Sequence, residues 1–531
     1  MPQSPQKKHL DPFTVVAGVV CTVIGVGIFY KNDSVFTIAG NNWKTVISAW
    51  LLVAFICVCT AFSYSRIALY HPTDLGFCGW ASPVINQKFS NFFSQLFILF
   101  KLGISIPAYC FYASSTFLKI LPEDKKLLSD GAGSYSTFGI VALLGLFILI
   151  GIILFNYLKP DLAIKAQKLF FYCKLIPIFI AVIFGLLISA VNWKAGLFAS
   201  SPQIMKKGGT TENAIVSDFS FQRVILAVPG IMFAFDAFLN AGFFSKRLQN
   251  PRKSLPRIYM VTICIFTSLY LIITLNQLLN GTGSIHEIFN AKNLWGSETA
   301  SRIIQGIFLT FIFLSALGLV NGYANTAPTI IGQAFKDDVF YMKRYFLKKF
   351  KNEKKAIFMF WIMVTSFWTT VMLSASAATN SDAFFDGLTN IPSLFIFAMY
   401  GVLAGAYAYR KWQTANFRKA NVSEKKELIL VSIASSIAAF SWVGIVLFQF
   451  IHLCLYRPVR DFNGVFEVWN GPWGTNGTQI RNWQAALIML ICLTSIFVFY
   501  YVDKMYKKKE MSGLDCWKLG SKRSWYFSFN D

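Results

Sequence analysis

Two of the long apolar segments in this sequence are interrupted by residues that weaken a helix. The first contains Gly25 and Gly27 near its middle, and another contains Pro229 and Gly230 shortly before an acidic side chain, Asp236. In a helix interior, glycine costs about 1 kcal/mol and proline about 3 kcal/mol relative to alanine. We therefore predict that both segments unwind near their centres.

A helix that unwinds inside an apolar layer exposes backbone groups that lack hydrogen-bond partners. The N–H end of a half-helix is suited to a carboxylate, and the carbonyl end is suited to an ammonium group. A free amino acid carries both charges, so the two interruptions predict a site for a small zwitterion. For Gly25 and Gly27 taken alone, close packing of two helices is the simpler explanation.

The elements that position these residues are predicted to be membrane-spanning helices. Of the 531 residues, 55% are hydrophobic and 14% are charged, and the mean hydropathy is +0.51. Soluble domains have about 25% charged residues, whereas an apolar helix of about 20 residues crosses the hydrocarbon layer. Because lipid offers backbone groups no partners, apolar segments of this length should be helical. Twelve such segments occur, at residues 14–37, 44–65, 91–118, 137–157, 167–190, 222–245, 257–279, 301–325, 355–377, 390–410, 427–452 and 482–502.

The basic residues predict the orientation of these spans. The formal net charge is +24, from 49 Lys and Arg against 25 Asp and Glu. With the N-terminus in the cytoplasm, about 33 of the basic residues fall in internal loops and about 14 in external ones, leaving Lys101 and Lys174 within spans. We therefore expect a multi-pass protein of the plasma membrane with both termini in the cytoplasm. Since the basic residues are spread over short loops, a nucleic-acid partner is not expected.

Several segments of the chain resemble the amino acid–polyamine–organocation transporters. Residues 24–29, which read IGVGIF, resemble the first-span motif of that family, and residues 233–257 resemble its sixth span and the following loop. The end of the second span at 61–72 and the fifth span at 168–185 are also similar, the latter with a lysine before Leu-Ile-Pro. The match is most specific at Asn250-Pro251-Arg252-Lys253 and weakens after the eighth span.

The resemblance implies a leucine-transporter-like fold that works by alternating access. In that fold two inverted repeats of five helices each begin with a discontinuous helix, and two further helices are peripheral. The expected organisation is a cytoplasmic segment 1–13, a first repeat 14–190, an external loop 191–221, a second repeat 222–410, peripheral spans 411–502 and a basic cytoplasmic tail 503–531.

The resemblance also implies which residues form the substrate site. Phe233 takes the position of an aromatic residue that covers bound substrate; the alternative is an ordinary lipid-facing or packing phenylalanine. The residues implied to bind substrate are Ile24, Gly25, Val26, Gly27, Ile28, Phe233, Ala234, Asp236 and Ala237. This sequence departs from the family pattern at several positions. It has Ala237 where members tend to have glycine, Leu239 where many have glutamate, and Lys246 and Arg247 in place of an acidic pair. Acidic proton relays at those positions are therefore not carried over.

Ionisable residues inside spans are costly and usually functional. Lys174 matches the family lysine that occupies the place of a coupling sodium ion in sodium-independent members. Two roles are open for it: exchanging a proton that couples transport to a pH gradient, or replacing sodium as a permanent charge. Asp236 is either a recognition group for a cationic substrate or the structural partner of a lysine, for which Lys101 is a candidate.

These observations predict a secondary active transporter of amino acids that is independent of sodium and is either proton-coupled or an exchanger. A carrier of polyamines or cationic amino acids, a non-transporting amino-acid sensor and a channel are the alternatives. An enzyme is not expected, because the four histidines lie in loops or at span ends with no H-E-x-x-H spacing, and the chain has no glycine-rich phosphate loop. No metal and no cofactor is predicted, and the sequence leaves the oligomeric state open.

Overall fold

The structure is a computed structural model in which nearly every described residue lies in a helix. It describes residues 12–23, 26–70, 75–121, 135–192, 203–205, 211–213, 217–248, 250–281, 285–289, 297–379, 383–414, 422–455 and 482–518. The helices, in chain order, are α1 Pro12–Val23, α2 Val26–Ile38, α3 Trp43–Tyr70, α4 Gly76–Val84, α5 Gln87–Gln95, α6 Gly103–Ile120, α7 Tyr135–Leu158, α8 Pro160–Asn192, α9 Phe221–Ala234, α10 Pro251–Asn280, α11 Ile285–Ile288, α12 Glu298–Lys336, α13 Lys343–Phe350, α14 Glu353–Thr379, α15 Ala383–Thr414, α16 Val422–Leu455 and α17 Asn482–Lys518.

Within the described ranges, ten helical units are long and apolar enough to cross a membrane. One of them is the continuous unit of α5, a π-helical segment Leu96–Leu102 and α6. Two further predicted spans are covered by shorter elements: the first by α1 and α2, on either side of residues outside the described ranges, and the sixth by α9 and a 3₁₀ segment, Asn240–Arg247. Each of the twelve predicted apolar segments coincides either with one of the ten long units or with one of the two pairs of shorter elements. The predicted all-α, multi-spanning architecture is therefore confirmed.

Several helices extend beyond the apolar segments that predicted them. The eighth span was predicted at 301–325, but α12 runs from Glu298 to Lys336. The twelfth was predicted to end at residue 502, whereas α17 continues to Lys518, so the first part of the basic tail is helical. Hydropathy marks the part of a helix that lies in lipid, and a helix does not have to end where the lipid does.

Helices α4, α11 and α13 and a two-stranded ladder lie between the spans, outside the predicted apolar segments. Helix α4 precedes the third span, and α13 follows the eighth, with Phe346 buried and Lys348 and Lys349 exposed. Inside the predicted external loop, β1 Gln203–Met205 pairs with β2 Thr211–Asn213 in an antiparallel ladder.

The third span lies at the centre of the helical assembly. Its most apolar stretch is 94% buried by protein, whereas the corresponding stretches of α7 and α17 are only 22% buried. Helix α2 packs against α9, and α12 packs against both α6 and α8. The first, third, sixth and eighth spans therefore surround the region where the interruptions are predicted.

Candidate functional site

The sixth span unwinds at a single place. Helix α9 ends at Ala234, five residues of turn follow, and the chain resumes as a 3₁₀ segment at Asn240. The prediction that this span is interrupted is correct, and Asp236 lies inside the interruption. The prediction that Pro229 and Gly230 begin it is wrong, because α9 continues through both residues.

A contact from another span explains why α9 tolerates Pro229. Proline has no N–H, so the carbonyl four residues earlier, that of Ile225, loses its helical donor. The side-chain amide of Gln449 in α16 donates to this carbonyl at 2.8 Å. Neighbouring side chains commonly satisfy such freed groups in membrane helices. The helix therefore remains intact at the proline and unwinds one turn later.

Ala237 has an unusual backbone conformation within the interruption. Its φ is +68°, in the left-handed region that glycine adopts easily. For a residue with a Cβ this conformation costs roughly 1–2 kcal/mol. The requirement for a positive φ gives a physical reason for the glycine that relatives tend to have here.

The structure describes only some of the site residues that were predicted in the first span. Ile24 and Gly25 lie outside the described residues, so the predicted break of this span stays a prediction. Val26 begins α2, and Gly27 and Ile28 are buried. A Cβ on Gly27 would lie 2.7 Å from Cα of Ala234. Gly27 therefore allows α2 to approach α9 closely, which is the packing role considered from the sequence.

Asp236 and Lys101 form a buried ion pair. The Lys101 ammonium lies 2.7 Å from Oδ2 of Asp236, and their side chains are 1% and 8% exposed. The Tyr323 hydroxyl donates to the same carboxylate oxygen at 3.2 Å, and Lys101 also donates to Oγ of Ser393 at 2.9 Å. The pairing considered from the sequence is thus present in the structure. The carboxylate is held by two donors from the protein itself, which leaves the recognition role without support.

The π-helical segment Leu96–Leu102 brings Lys101 to this position. A π turn contains an extra residue, so it shifts the faces of the helix before and after it relative to each other, and such segments often occur at functional sites. The carbonyl of Leu99 inside the segment accepts a hydrogen bond from the indole of Trp368 in α14 at 2.6 Å.

Phe233 lies at the centre of an aromatic and cationic cluster. Its ring centroid is 5.8 Å from that of Tyr109 and 6.4 Å from that of Tyr112. Two ammonium groups lie over the ring, that of Lys31 at 4.9 Å and that of Lys101 at 5.7 Å. The residue is only 4% exposed. Phe233 therefore packs inside the predicted site and does not face lipid.

Lys31 is a residue of this site that the sequence analysis missed. It falls inside the first predicted span, 14–37, but the charge count named only Lys101 and Lys174 as lysines within spans. In the structure it lies in α2 and is only 2% exposed. Its ammonium donates to Oγ1 of Thr389 in α15 at 3.3 Å. The sequence could have indicated Lys31 as a site residue, because it is four residues from Gly27 and residues four apart share one face of a helix.

Tyr270 in α10 is a second missed residue. Its hydroxyl lies 3.0 Å from the carbonyl of Ala234 and 3.3 Å from the carbonyl of Val23. Ala234 is the last residue of α9, and a helix end leaves such a carbonyl without an intrahelical donor. Val23 is the last described residue of α1. Contacts with Trp50 and Phe235 hold the ring in place. One hydroxyl therefore links the first span to the interruption of the sixth.

Lys174 lies in a buried niche between α8 and α12. It is 2% exposed, and a Cβ added to Gly318 would lie 3.4 Å from Cε of Lys174 and 2.6 Å from Cβ of Phe170. Gly318 therefore makes room for Phe170, one turn before the lysine. The coupling role of Lys174 stays a prediction.

The polar residues of the eighth span have mainly helix-packing roles. Asn321 accepts a hydrogen bond from Asn156 at 3.1 Å and donates to Gln167 at 2.7 Å, which joins α12 to α7 and α8. Thr326 bonds to carbonyls of its own helix. Oγ of Ser315 is buried without a hydrogen-bond partner among the described residues.

Comparison with known sequences fits this arrangement. The profile of a family described as amino acid permease matches residues 10–466, most of the chain. The chain belongs to the amino acid permease family. Family membership confirms the resemblance seen in the sequence motifs and makes the chain a multi-pass membrane transporter, not an enzyme.

The permease is similar to two curated proteins. It is 25% identical over 328 residues to the serine/threonine exchanger SteT of Bacillus subtilis (strain 168), an alignment that covers 61% of this permease and 67% of the relative. It is 21% identical over 351 residues to an uncharacterized protein of Mycoplasma pneumoniae (strain ATCC 29342 / M129 / Subtype 1), covering 61% of the permease and 60% of that relative.

Proposed function

We propose that this permease exchanges free amino acids across the membrane by alternating access, without sodium. The observation that carries the proposal is the buried junction between the first span and the interruption of the sixth, where Gly27 packs on Ala234 and Tyr270 contacts the carbonyls of Val23 and Ala234. Backbone groups at such a junction suit a zwitterion. Exchange is proposed because a relative, SteT, is described as an exchanger.

Sodium independence is proposed because of Lys174. A lysine buried between α8 and α12 supplies a permanent positive charge within the protein, and a fixed charge removes the need for a bound cation at that place. Proton coupling through the same lysine is the second form of the proposal, because a buried ammonium group is also a group that can release a proton.

The experiment is counterflow in proteoliposomes that contain the purified permease. Labelled serine outside should accumulate when unlabelled serine is inside, equally in sodium and potassium buffers. Uptake only with sodium would contradict sodium independence, and the absence of counterflow would contradict exchange. A pH gradient that drives uptake in the native protein, but not in Lys174→Ala, would favour the proton-coupled form. Lys165→Ala, an exposed lysine earlier in the same helix, is the matched control.

A carrier of cationic amino acids or polyamines has weaker support. That function needs a carboxylate able to meet the cationic side chain, and Asp236 is already held by Lys101 and Tyr323. Lysine, arginine or ornithine should therefore compete poorly with labelled serine. Strong competition that disappears in Asp236→Asn would restore the recognition role of Asp236.

A further inference from the structure

One face of α7 is apolar, exposed and continuous. Five large side chains on this helix, spaced three or four residues apart, are between 49% and 75% exposed: Leu143, Phe147, Ile150, Leu154 and Leu158. Residues at this spacing share one helix face, so they form a stripe along α7. Because the chain is a multi-pass membrane protein, the surroundings of such a stripe are the hydrocarbon chains of lipids.

The stripe is long enough to contact a lipid chain over its whole depth. From Leu143 to Leu158 it extends about 22 Å along the helix axis. The hydrocarbon of one leaflet is about 15 Å deep. A lipid in the leaflet beside Leu158 therefore has an apolar protein surface along the full length of its chains.

At Leu158 the stripe meets the beginning of α14. The ring of Tyr157 contacts that of Phe358, with centroids 4.6 Å apart, and the Lys354 ammonium lies 5.4 Å from the Tyr157 centroid. Lys354 is exposed, and so is Lys159, which directly follows Leu158. Both lysines lie just outside predicted apolar segments. They are therefore at the level where hydrocarbon ends and lipid headgroups begin.

The two segments that meet here carry a large excess of positive charge. Residues 157–168 and 343–355 together contain ten Lys and Arg against two acidic residues, Asp161 and Glu353. Ion pairs made by both acids would still leave most of this excess in place. Each lysine near the surface raises the affinity for an anionic membrane about fivefold. A headgroup without net charge gains no such attraction.

This region is also connected to the packing of the eighth span. The residue before Tyr157 is Asn156, which is buried and donates to Asn321 of α12 at 3.1 Å. Asn321 in turn donates to Gln167 of α8 at 2.7 Å. A molecule bound against Tyr157 therefore lies at the turn that ties α7 to two other spans, and its binding should stabilise the folded protein.

We propose that Tyr157, Lys159 and Lys354, together with the stripe of α7, form a binding site for an anionic phospholipid. The phosphate-bearing headgroup lies beside the two ammonium groups, and an acyl chain lies along the stripe. An acidic protein segment would match the charge but not the adjoining apolar face, whereas a phospholipid matches both. The site is separate from the proposed transport function and does not depend on it.

The test compares two lipids that have the same acyl chains and differ in headgroup charge. The purified full-length permease is heated in a non-ionic detergent with increasing dioleoylphosphatidylglycerol or dioleoylphosphatidylcholine, and the concentration for half-maximal thermal stabilisation is measured. We expect phosphatidylglycerol to act at a concentration at least about tenfold lower. Glycerol 3-phosphate, a soluble analogue of the headgroup, should not stabilise the permease at the concentrations at which the lipid does.

Lys354→Gln and Lys159→Gln test the assigned lysines, each measured against its own melting temperature without lipid. Each substitution should lower the preference for phosphatidylglycerol about fivefold. Lys44→Gln is the matched control, because it removes the same charge from an exposed lysine whose ammonium lies 5.7 Å from the ring centroid of Trp43. Lys44 begins the second span, on the opposite predicted face of the membrane, so the control should keep the native preference.

Three results would contradict the site. Equal stabilisation by the two lipids would show that the lysines do not select an anionic headgroup. An equal loss of preference in Lys44→Gln and Lys354→Gln would show a diffuse effect of net charge. Stabilisation by glycerol 3-phosphate at the same concentration as the lipid would show an anion site in which the stripe has no part. Serine counterflow tests the transport function independently of all three.

Discussion

The side-chain amide of Gln449 donates, over 2.8 Å, to the carbonyl of Ile225 that Pro229 leaves without a helical donor. The contact joins the eleventh span to the first half of the sixth, and it allows α9 to reach Ala234 before the chain unwinds. A helix more than 200 residues away in the chain thus supplies the donor that α9 lacks at Pro229.

This contact predicts a coupled pair of substitutions. Gln449→Leu should destabilise the permease by about 1–3 kcal/mol, because it leaves a buried carbonyl unsatisfied. In a Pro229→Ala background the restored N–H supplies the donor, so the same substitution should cost less. Thermal unfolding of the four proteins in detergent measures the coupling. Equal costs in both backgrounds would contradict the explanation, and Gln413→Leu, at an exposed position, is the control.

The positive φ of Ala237 predicts a stabilising substitution. Ala237→Gly should raise the free energy of unfolding by about 1 kcal/mol, because glycine adopts a φ of +68° without the steric cost of a Cβ. Ala241→Gly should instead lower it, since Ala241 is buried in the 3₁₀ segment without a positive φ. Thermal unfolding of the two variants checks the difference in sign. Loss of stability in Ala237→Gly would show that the turn imposes no strain.

The Lys101–Asp236 pair predicts that single substitutions are worse than a double one. Asp236→Leu alone leaves the Lys101 ammonium buried without its carboxylate, which typically costs about 3–5 kcal/mol. Lys101→Met combined with Asp236→Leu removes both charges and should recover a large part of that loss. Unfolding measurements on both single variants and the double variant test this prediction. A double variant as unstable as the sum of the singles would mean that the two charges do not interact.

The hydroxyl of Tyr270 predicts a variant that affects transport more than folding. Tyr270→Phe removes one hydrogen bond, worth about 1 kcal/mol, but it also removes the group that contacts the carbonyls of Val23 and Ala234. Counterflow should fall about tenfold or more, because misplacing the groups at a site by a fraction of an ångström slows the reaction it supports. Tyr64→Phe loses a comparable buried bond, to the carbonyl of Tyr400, and should keep its transport rate. Similar transport rates in both variants would exclude a special role for Tyr270.

The spans and the general location of the site follow from the sequence because they depend on local properties. Hydropathy over about 20 residues decides whether a helix can lie in lipid, and this quantity requires no knowledge of the neighbours. The same holds for Gly27, whose missing side chain marks a place where helices come close, and for Asp236, which lies in the interruption as predicted.

Only the tertiary structure decided which residues meet at the junction. Local propensity predicts unwinding at Pro229, but a donor from α16 overrides it. Regular helical periodicity cannot place Lys101, because a π segment shifts the face of the third span, and it cannot show that Thr389 in α15 receives Lys31. These contacts join residues far apart in the chain, and their energies depend on distances and burial that exist only once the helices have packed.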